Sequence, residues 1–394
     1  MKKKAIFVII ALVLYTSFLP LFPFDEVVAT PVFDGAQIKG APMLELDVSA
    51  RAAALIGPNG ELLFEKNGSE RLGIASTTKI MTAITVIECC DMDEEVVIPK
   101  EAVGVEGSSL YLKVGERLTV EELLYGLLLR SGNDAAVSLA IHCAGTEAGF
   151  VEKMNEKASS LGLVDTHFEN PHGLSSEAHY STAIELGQLT AYALKNETFR
   201  KIASTYTHKI RYDGNEGGRL LINHNKLLKT YDGAIGVKTG FTKATGRTLV
   251  GAAERDGLTL ISVTLDDHDD WRDHHTLLDE GFSAFELFEP AKKGELSFNV
   301  ALSGGEKESV SVKNEYITPF IVRKGAEIST RFILPDVLGA PVSEGTKVGE
   351  VEYYCDGVLL GKVGLYTTES IDQRRLSFWE RLKNERNKDT KGDQ

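Results

Sequence analysis

Three short groups of residues carry the chemistry this chain offers. Ser76 and Lys79 stand three apart in Ala75-Ser76-Thr77-Thr78-Lys79, just ahead of an apolar run over 80–87. Positions i and i+3 share a helix face, so Lys79 reaches the Ser76 hydroxyl. A serine attacks a carbonyl once a base takes its proton, and a lysine is a base only when burial or a second cation keeps it neutral. Ser131-Gly132-Asn133 follows, where a helix breaks. Ser131 can relay the proton to a leaving amine, and Asn133 can hold Lys79 or a substrate amide. Lys238-Thr239-Gly240 falls in a predicted strand. Lys238 supplies a cation for a terminal carboxylate and repels positive charge on Lys79. Thr239 adds a hydroxyl donor, and Gly240 lets a substrate backbone lie close to the strand. The backbone N–H groups of Ser76 and Phe241 would form an oxyanion hole. Each motif alone has an ordinary reading: a surface pair, a helix terminator, an exposed edge strand. Their order and settings together point to acyl transfer.

The elements around them can be read from pattern. Residues 52–66 read as a β-hairpin about Pro58-Asn59-Gly60. The Ser76 helix ends near Cys90, and 96–118 reads as glycine-rich loop. Thr119 and Glu122 form a capping box that starts the helix ended by Ser131. Helices are predicted over 135–144, 150–161 and 182–194, strands over 206–212, 233–241, 248–254 and 258–265, and a closing helix over 271–288. Helices between an early hairpin and late antiparallel strands predict an α+β domain whose sheet is assembled from both chain ends. That domain is expected to span 30–290, a small all-β module 291–366, and a charged tail 367–394. In the tail Ile371, Leu376, Phe378, Trp379 and Leu382 run beside basic residues, a pattern for a membrane-surface helix or a solvated tail.

The 394-residue chain starts with Lys2, Lys3 and Lys4, an apolar run over 6–19, Pro20 and Pro23, and small residues up to Ala29. This reads as a signal peptide over 1–29, with an uncleaved anchor as the alternative. The expected location is therefore extracytoplasmic, at the cell wall or the outer face of the cytoplasmic membrane. The formal net charge of −14 argues against nucleic acid as a partner. Cys89, Cys90, Cys143 and Cys355 lack metal-ligand spacing and read as buried free thiols, a Cys143 bridge to Cys89 or Cys90 being the alternative. The cluster from Asp266 to His275 reads as an acidic helix start rather than a metal site. No metal or cofactor is expected. His172 reads as structural, fixing the Asn170-Pro171 turn, because Lys79 already supplies the base.

The run Ala75-Ser76-Thr77-Thr78-Lys79-Ile80-Met81-Thr82 belongs to a wider resemblance. Ser131-Gly132-Asn133-Asp134-Ala135, Phe168-Glu169-Asn170-Pro171-His172-Gly173-Leu174 and Gly236-Val237-Lys238-Thr239-Gly240-Phe241-Thr242 are its other parts. From about residue 50 to the tail, the chain resembles the D-alanyl-D-alanine carboxypeptidases of the low-molecular-mass penicillin-binding protein family. The resemblance implies a penicillin-binding/β-lactamase-like transpeptidase domain followed by a β domain. It implies cleavage of the terminal D-Ala from peptidoglycan stem peptides through a Ser76 ester, and acylation by β-lactams. It puts the acyl-ester serine, general-base lysine, second serine and substrate-binding lysine on Ser76, Lys79, Ser131 and Lys238. Phe241 stands where some members have histidine, which bears on pocket shape. Arg272 falls where some members place an arginine near the substrate carboxylate. A β-lactamase-like hydrolase using Glu169, a DD-endopeptidase or transpeptidase, and a β-lactam sensor without turnover are the alternatives.

Overall fold

A computed structural model describes residues 43–212 and 215–375; the expected signal peptide and most of the expected tail lie outside them. β1 (Ala52–Ile56) and β2 (Leu62–Lys66) form the hairpin. A 3-10 turn, Ala75–Thr78, runs straight into α1 (Lys79–Cys89). β3 (Glu95–Val97) and β4 (Arg117–Thr119) pair within what reads as loop in the sequence. They are only three residues each, too short to show a period. Helices α2 (Val120–Arg130), α3 (Asn133–Ala144), α4 (Glu147–Ser160), α5 (Ala183–Leu194) and α6 (Glu197–Ala203) follow. Thr119 and Glu122 make the reciprocal capping box at the start of α2. β5 (Thr207–Tyr212) pairs with β6 (Asn215–Ile222). After the short α7 (Leu227–Thr230) come β7 (Ala234–Thr242), β8 (Gly246–Arg255), β9 (Leu258–Leu265) and α8 (Asp270–Ala284).

The main sheet has the order β2-β1-β9-β8-β7, so the first hairpin closes onto the last strands. Side chains of β1 alternate between two cores. Ala52, Ala54 and Ile56 join the core on the α1–α5 side, and Ala53 and Leu55 the core under α8. All eight residues of β9 are buried. The strand is covered on both faces, and its polar members Thr259, Ser262 and Thr264 are buried with the apolar ones. Two glycines bring the helices down onto it. A Cβ at Gly187 of α5 would meet Ile56, and one at Gly281 of α8 would meet Leu55 and Leu260.

The closing helix stops at Ala284, and Phe285–Phe288 becomes β10. Beyond it, β11 (Ser297–Ser303), β12 (Ser309–Asn314), β13 (Phe320–Arg323), β14 (Ile328–Ile333), β15 (Val337–Gly339), β16 (Lys347–Cys355) and β17 (Val358–Thr367) build the β module. Six of these form one sheet around Val310, Val312, Val351 and Leu365. The seventh, β13, pairs antiparallel with β10, Phe285 facing Arg323 and Phe288 facing Phe320. That pairing explains why the helix ends early: the last turn's residues satisfy their backbone groups across the module boundary. Ile321 is buried in the core under α8, and Lys324 Nζ donates to the Phe282 carbonyl at 2.8 Å. Ile371, expected on the tail's apolar stripe, is instead buried in the β module and bridges to Val342.

Candidate active site

Ser76 sits in the 3-10 turn, after Ala75 at a positive φ of 47°. Thr78 Oγ donates to the Ala75 carbonyl at 2.7 Å, and Thr248 Oγ1 of β8 donates to the Ile74 carbonyl at 3.1 Å. The turn is thereby tied to both its own helix and the sheet. Gly173, at φ +88°, closes over it: a Cβ there would lie 1.9 Å from the Ala75 carbonyl oxygen. Only glycine fits that approach.

Lys79 is fully buried on the first turn of α1. Its Nζ lies 3.0 Å from Ser76 Oγ, 2.7 Å from Asn133 Oδ1 and 2.5 Å from the His172 carbonyl oxygen. Burial drives its pKa far below the ordinary lysine value, and the charge of Lys238 pushes the same way, against a smaller opposing pull from Asp134. A neutral amine has two hydrogens and one lone pair. Asn133 Oδ1 and the His172 carbonyl accept the hydrogens, which leaves the lone pair for the Ser76 hydroxyl. The contacts thus fit the base form that the sequence chemistry requires.

Ser131 caps α2 in the left-handed region, φ 61°. Its Oγ is buried and has no hydrogen-bond partner among the described residues. A buried hydroxyl left open at a cleft is costly unless a ligand completes it. Asn133 begins α3, its backbone N–H donating to the Ser108 carbonyl at 2.7 Å. Asp134 accepts from the backbone N–H groups of Leu110 and Leu112 and from the Ser109 hydroxyl, so the 108–112 loop is fixed beside Ser131.

Lys238 on β7 is buried, and that burial lowers its pKa to about 7. Gly240 brings β7 against the nucleophile: a Cβ there would lie 2.9 Å from Ser76 N. Phe241 is 65% exposed at the rim. A cleft of about 450 Å³ is lined by Ser76, Ser131, Thr239, Gly240 and Phe241, and also by Ser108, His224, Arg247 and Trp271, which the motifs did not point to. The His224 imidazole, partly covered by the cleft wall and facing the charges of Lys238 and Arg130, is pushed below the usual histidine range.

Arg272 is the candidate the structure does not bring to the cleft. Its side chain is 62% exposed and pairs with Asp273 on its own helix and with Asp269 at that helix's N-cap. Arg247 of β8 lines the cleft instead, its Nε and Nη2 donating to the two Asp270 carboxylate oxygens at 2.9 and 2.7 Å. The neighbouring acidic residues serve the fold. Asp273 accepts from Ala50 N at 3.1 Å, and Asp267 from the Ser49 hydroxyl at 2.9 Å. Glu169 is exposed and does not line the cleft. The turn after it is fixed by Asn170 Oδ1, which accepts from Gly173 N at 2.7 Å; what His172 contributes to the site is its carbonyl. Cys89, Cys90, Cys143 and Cys355 are free thiols, but only Cys355 is buried; Cys90 and Cys143 are half-buried and Cys89 is exposed.

Fold and cleft together point to a class, the serine peptidases, with a serine hydroxyl 3.0 Å from a buried lysine amine. Comparison with known proteins then narrows it. The profile described as D-alanyl-D-alanine carboxypeptidase matches residues 37–269, and that of the penicillin-binding protein 5 C-terminal domain matches 285–373. D-alanyl-D-alanine carboxypeptidase DacF of Bacillus subtilis is 32% identical over 87% of this chain and 90% of its own length. DacC of Escherichia coli is 30% identical over 88% and 89%. The crystal structure of penicillin binding protein 5 from Haemophilus influenzae superposes with a TM-score of 0.71 at 28% identity, covering 84% of this chain and all of that one. The Streptomyces K15 DD-transpeptidase gives 0.56 at 35% identity, covering 61% of this chain and 99% of its own. The chain belongs to the D-alanyl-D-alanine carboxypeptidase family, the low-molecular-mass penicillin-binding proteins.

Proposed function

We propose that the protein removes the terminal D-alanine from peptidoglycan stem peptides ending in D-Ala-D-Ala, and that β-lactams acylate the same serine. The fully buried Lys79 amine, 3.0 Å from Ser76 Oγ, carries the reading. Lys238 and Thr239 hold the terminal carboxylate. Ser76 Oγ attacks the penultimate carbonyl while Lys79 takes its proton, and the oxyanion accepts from the N–H groups of Ser76 and Phe241. Ser131 passes a proton to the leaving amine, the C–N bond breaks, and free D-alanine departs from a Ser76 ester. Asn133 keeps Lys79 aligned. Water, deprotonated by Lys79, then cleaves the ester and returns the proton to Ser76. D-Ala release from diacetyl-L-Lys-D-Ala-D-Ala by the wild type, absent in Ser76→Ala, is the expected result. A wild type that releases none overturns the reading.

The basic, then apolar, N-terminus supports export, so the enzyme meets its substrate outside the cytoplasm. No helix among the described residues is long and apolar enough to cross a membrane. The residues beyond 375 would give peripheral membrane contact through Phe378, Trp379 and Leu382. Removing 376–394 is expected to move the protein from the membrane fraction to the soluble one. Unchanged fractionation takes that role from the tail.

A further inference from the structure

The ends of α1 and α3 remote from the cleft carry three thiols. The two helices start side by side, with Lys79 Nζ 2.7 Å from Asn133 Oδ1. Cys89 stands ten residues beyond Lys79, and Cys143 ten beyond Asn133. At the helical rise, both lie about 15 Å along the axes from the residues that hold the site. There the two helix ends meet again. His142 Nε2, beside Cys143, lies 2.8 Å from Glu94 Oε2, and Glu94 Oε1 accepts from Asp91 N, next to Cys90, at 3.0 Å. The Cys143 thiol is within hydrogen-bonding reach of those of Cys89 and Cys90. Cys90 and Cys143 pack half-buried against the main core, and Cys89 is exposed. On the export reading above, on which this inference rests, we propose that the three thiols are an oxidation site: Cys89 meets the oxidant, and a Cys90–Cys143 disulfide results that clasps α1 to α3.

The chemistry is thiol–disulfide exchange with an organic disulfide, small or protein-borne, as the oxidant; such disulfides persist outside the cytoplasm. The exposed Cys89 thiolate attacks the oxidant's disulfide, which leaves a mixed disulfide and releases one oxidant thiolate. The Cys143 thiolate attacks Cys89 Sγ, and the second oxidant thiolate leaves. The Cys90 thiolate, adjoining Cys89 in the chain, then attacks Cys143 Sγ and returns Cys89 to the free form. In sum, two thiols give up two protons to solvent and two electrons to the oxidant. Burial raises the pKa of Cys143, with the neighbouring thiols adding to the effect, and burial raises that of Cys90 as well. A pair whose thiolates are disfavoured holds its disulfide against reduction, so the bond comes to rest there and not on the exposed Cys89. Cys355, buried on β16 in the separate β module, takes no part. The clasp ties together the far ends of the two helices whose near ends hold Lys79 against Asn133.

The test equilibrates the purified full chain, in a form that benzylpenicillin still acylates, with mixtures of oxidised and reduced glutathione. The protein is then quenched by alkylation in denaturant and mapped as peptides. The expected product joins Cys90 to Cys143 and leaves Cys89 and Cys355 out of the bridge. Its thermal midpoint is expected about 5 °C above that of the reduced protein. Cys89→Ser is expected to slow bridging roughly tenfold and to leave the end product unchanged. Cys143 recovered in alkylated form, a bridge that stays on Cys89, or a bridge that leaves the midpoint where it was overturns the proposal. So does bridging at wild-type speed in Cys89→Ser. Recovery of the chain from the cytoplasmic fraction of cells would instead sink the export reading itself.

Discussion

On the proposed mechanism, the charge state of one nitrogen decides whether this site works. Lys79 has two acceptors beside Ser76 and is enclosed completely, so protonation would put a charge where water cannot follow. Lys79→Met keeps the bulk and removes the base. Acylation by a labelled penicillin is expected to slow by about 100-fold or more, while the thermal midpoint holds or rises because the desolvation cost of the buried amine is gone. A midpoint that falls sharply would mean that the lysine is needed mainly for structure. The two lysines and two serines were legible from spacing, since their chemistry follows from residue type. The carbonyl of His172 was not, because a backbone acceptor leaves no mark on residue type. Ser108, His224 and Arg247 also escaped, each being ordinary in its local pattern and meeting the cleft only through the fold. Arg272 shows the reverse: its type suited the task, but its helix aims it at Asp269 and Asp273.

At the scale of elements, the site is a seam between a turn, a helix break and a strand, and glycines set its width. Gly173 is the tightest point. Gly173→Ala adds a Cβ at 1.9 Å from a backbone oxygen, in a backbone region that L residues avoid. The expected cost exceeds about 2 kcal/mol in urea unfolding, with acylation reduced as the 3-10 turn shifts. A variant that retains wild-type acylation and stability would show that the 170–174 loop moves aside freely. Helices with strong caps and the buried β9 were readable because local pattern and tertiary role agree. β10 was not: the sequence of 271–288 continues a helical pattern, and only the distant strand β13 converts its end into a ladder.

The whole molecule carries a signature in acid. Burial lowers the pKa of His172 and His274 to about 3 and of His179 to about 4, all from 6.5. Below 6.5 the unfolded chain takes protons that the native state refuses. The stability these neutral imidazoles allow is therefore complete above pH 6.5 and is lost progressively towards pH 3–4. Each contributes a slope of about 1.4 kcal/mol per pH unit within that window. Thermal midpoints between pH 7 and 4 should show the decline, and His274→Gln should flatten it; a flat profile in the wild type would contradict the assignment. The β module bears on stability as well. A chain ending at residue 290 loses the partner of β10 and uncovers the core that Ile321 seals, at about 1.5–3 kcal/mol for that side chain alone. Its melting point should drop by several degrees while penicillin still acylates Ser76, because no cleft-lining residue comes from the module. Loss of acylation in the folded fragment would give the module a part in the chemistry.

The pairing of β10 with β13 also has a kinematic meaning. A module joined through residue 290 alone could swivel. One joined there and again through a four-residue ladder has lost that rotation and behaves as a bracket. Anything that grips the C-terminal end would therefore set the heading of the cleft as well as its height. Such an enzyme, held at a surface, would work on the strands that present their peptide ends in one plane.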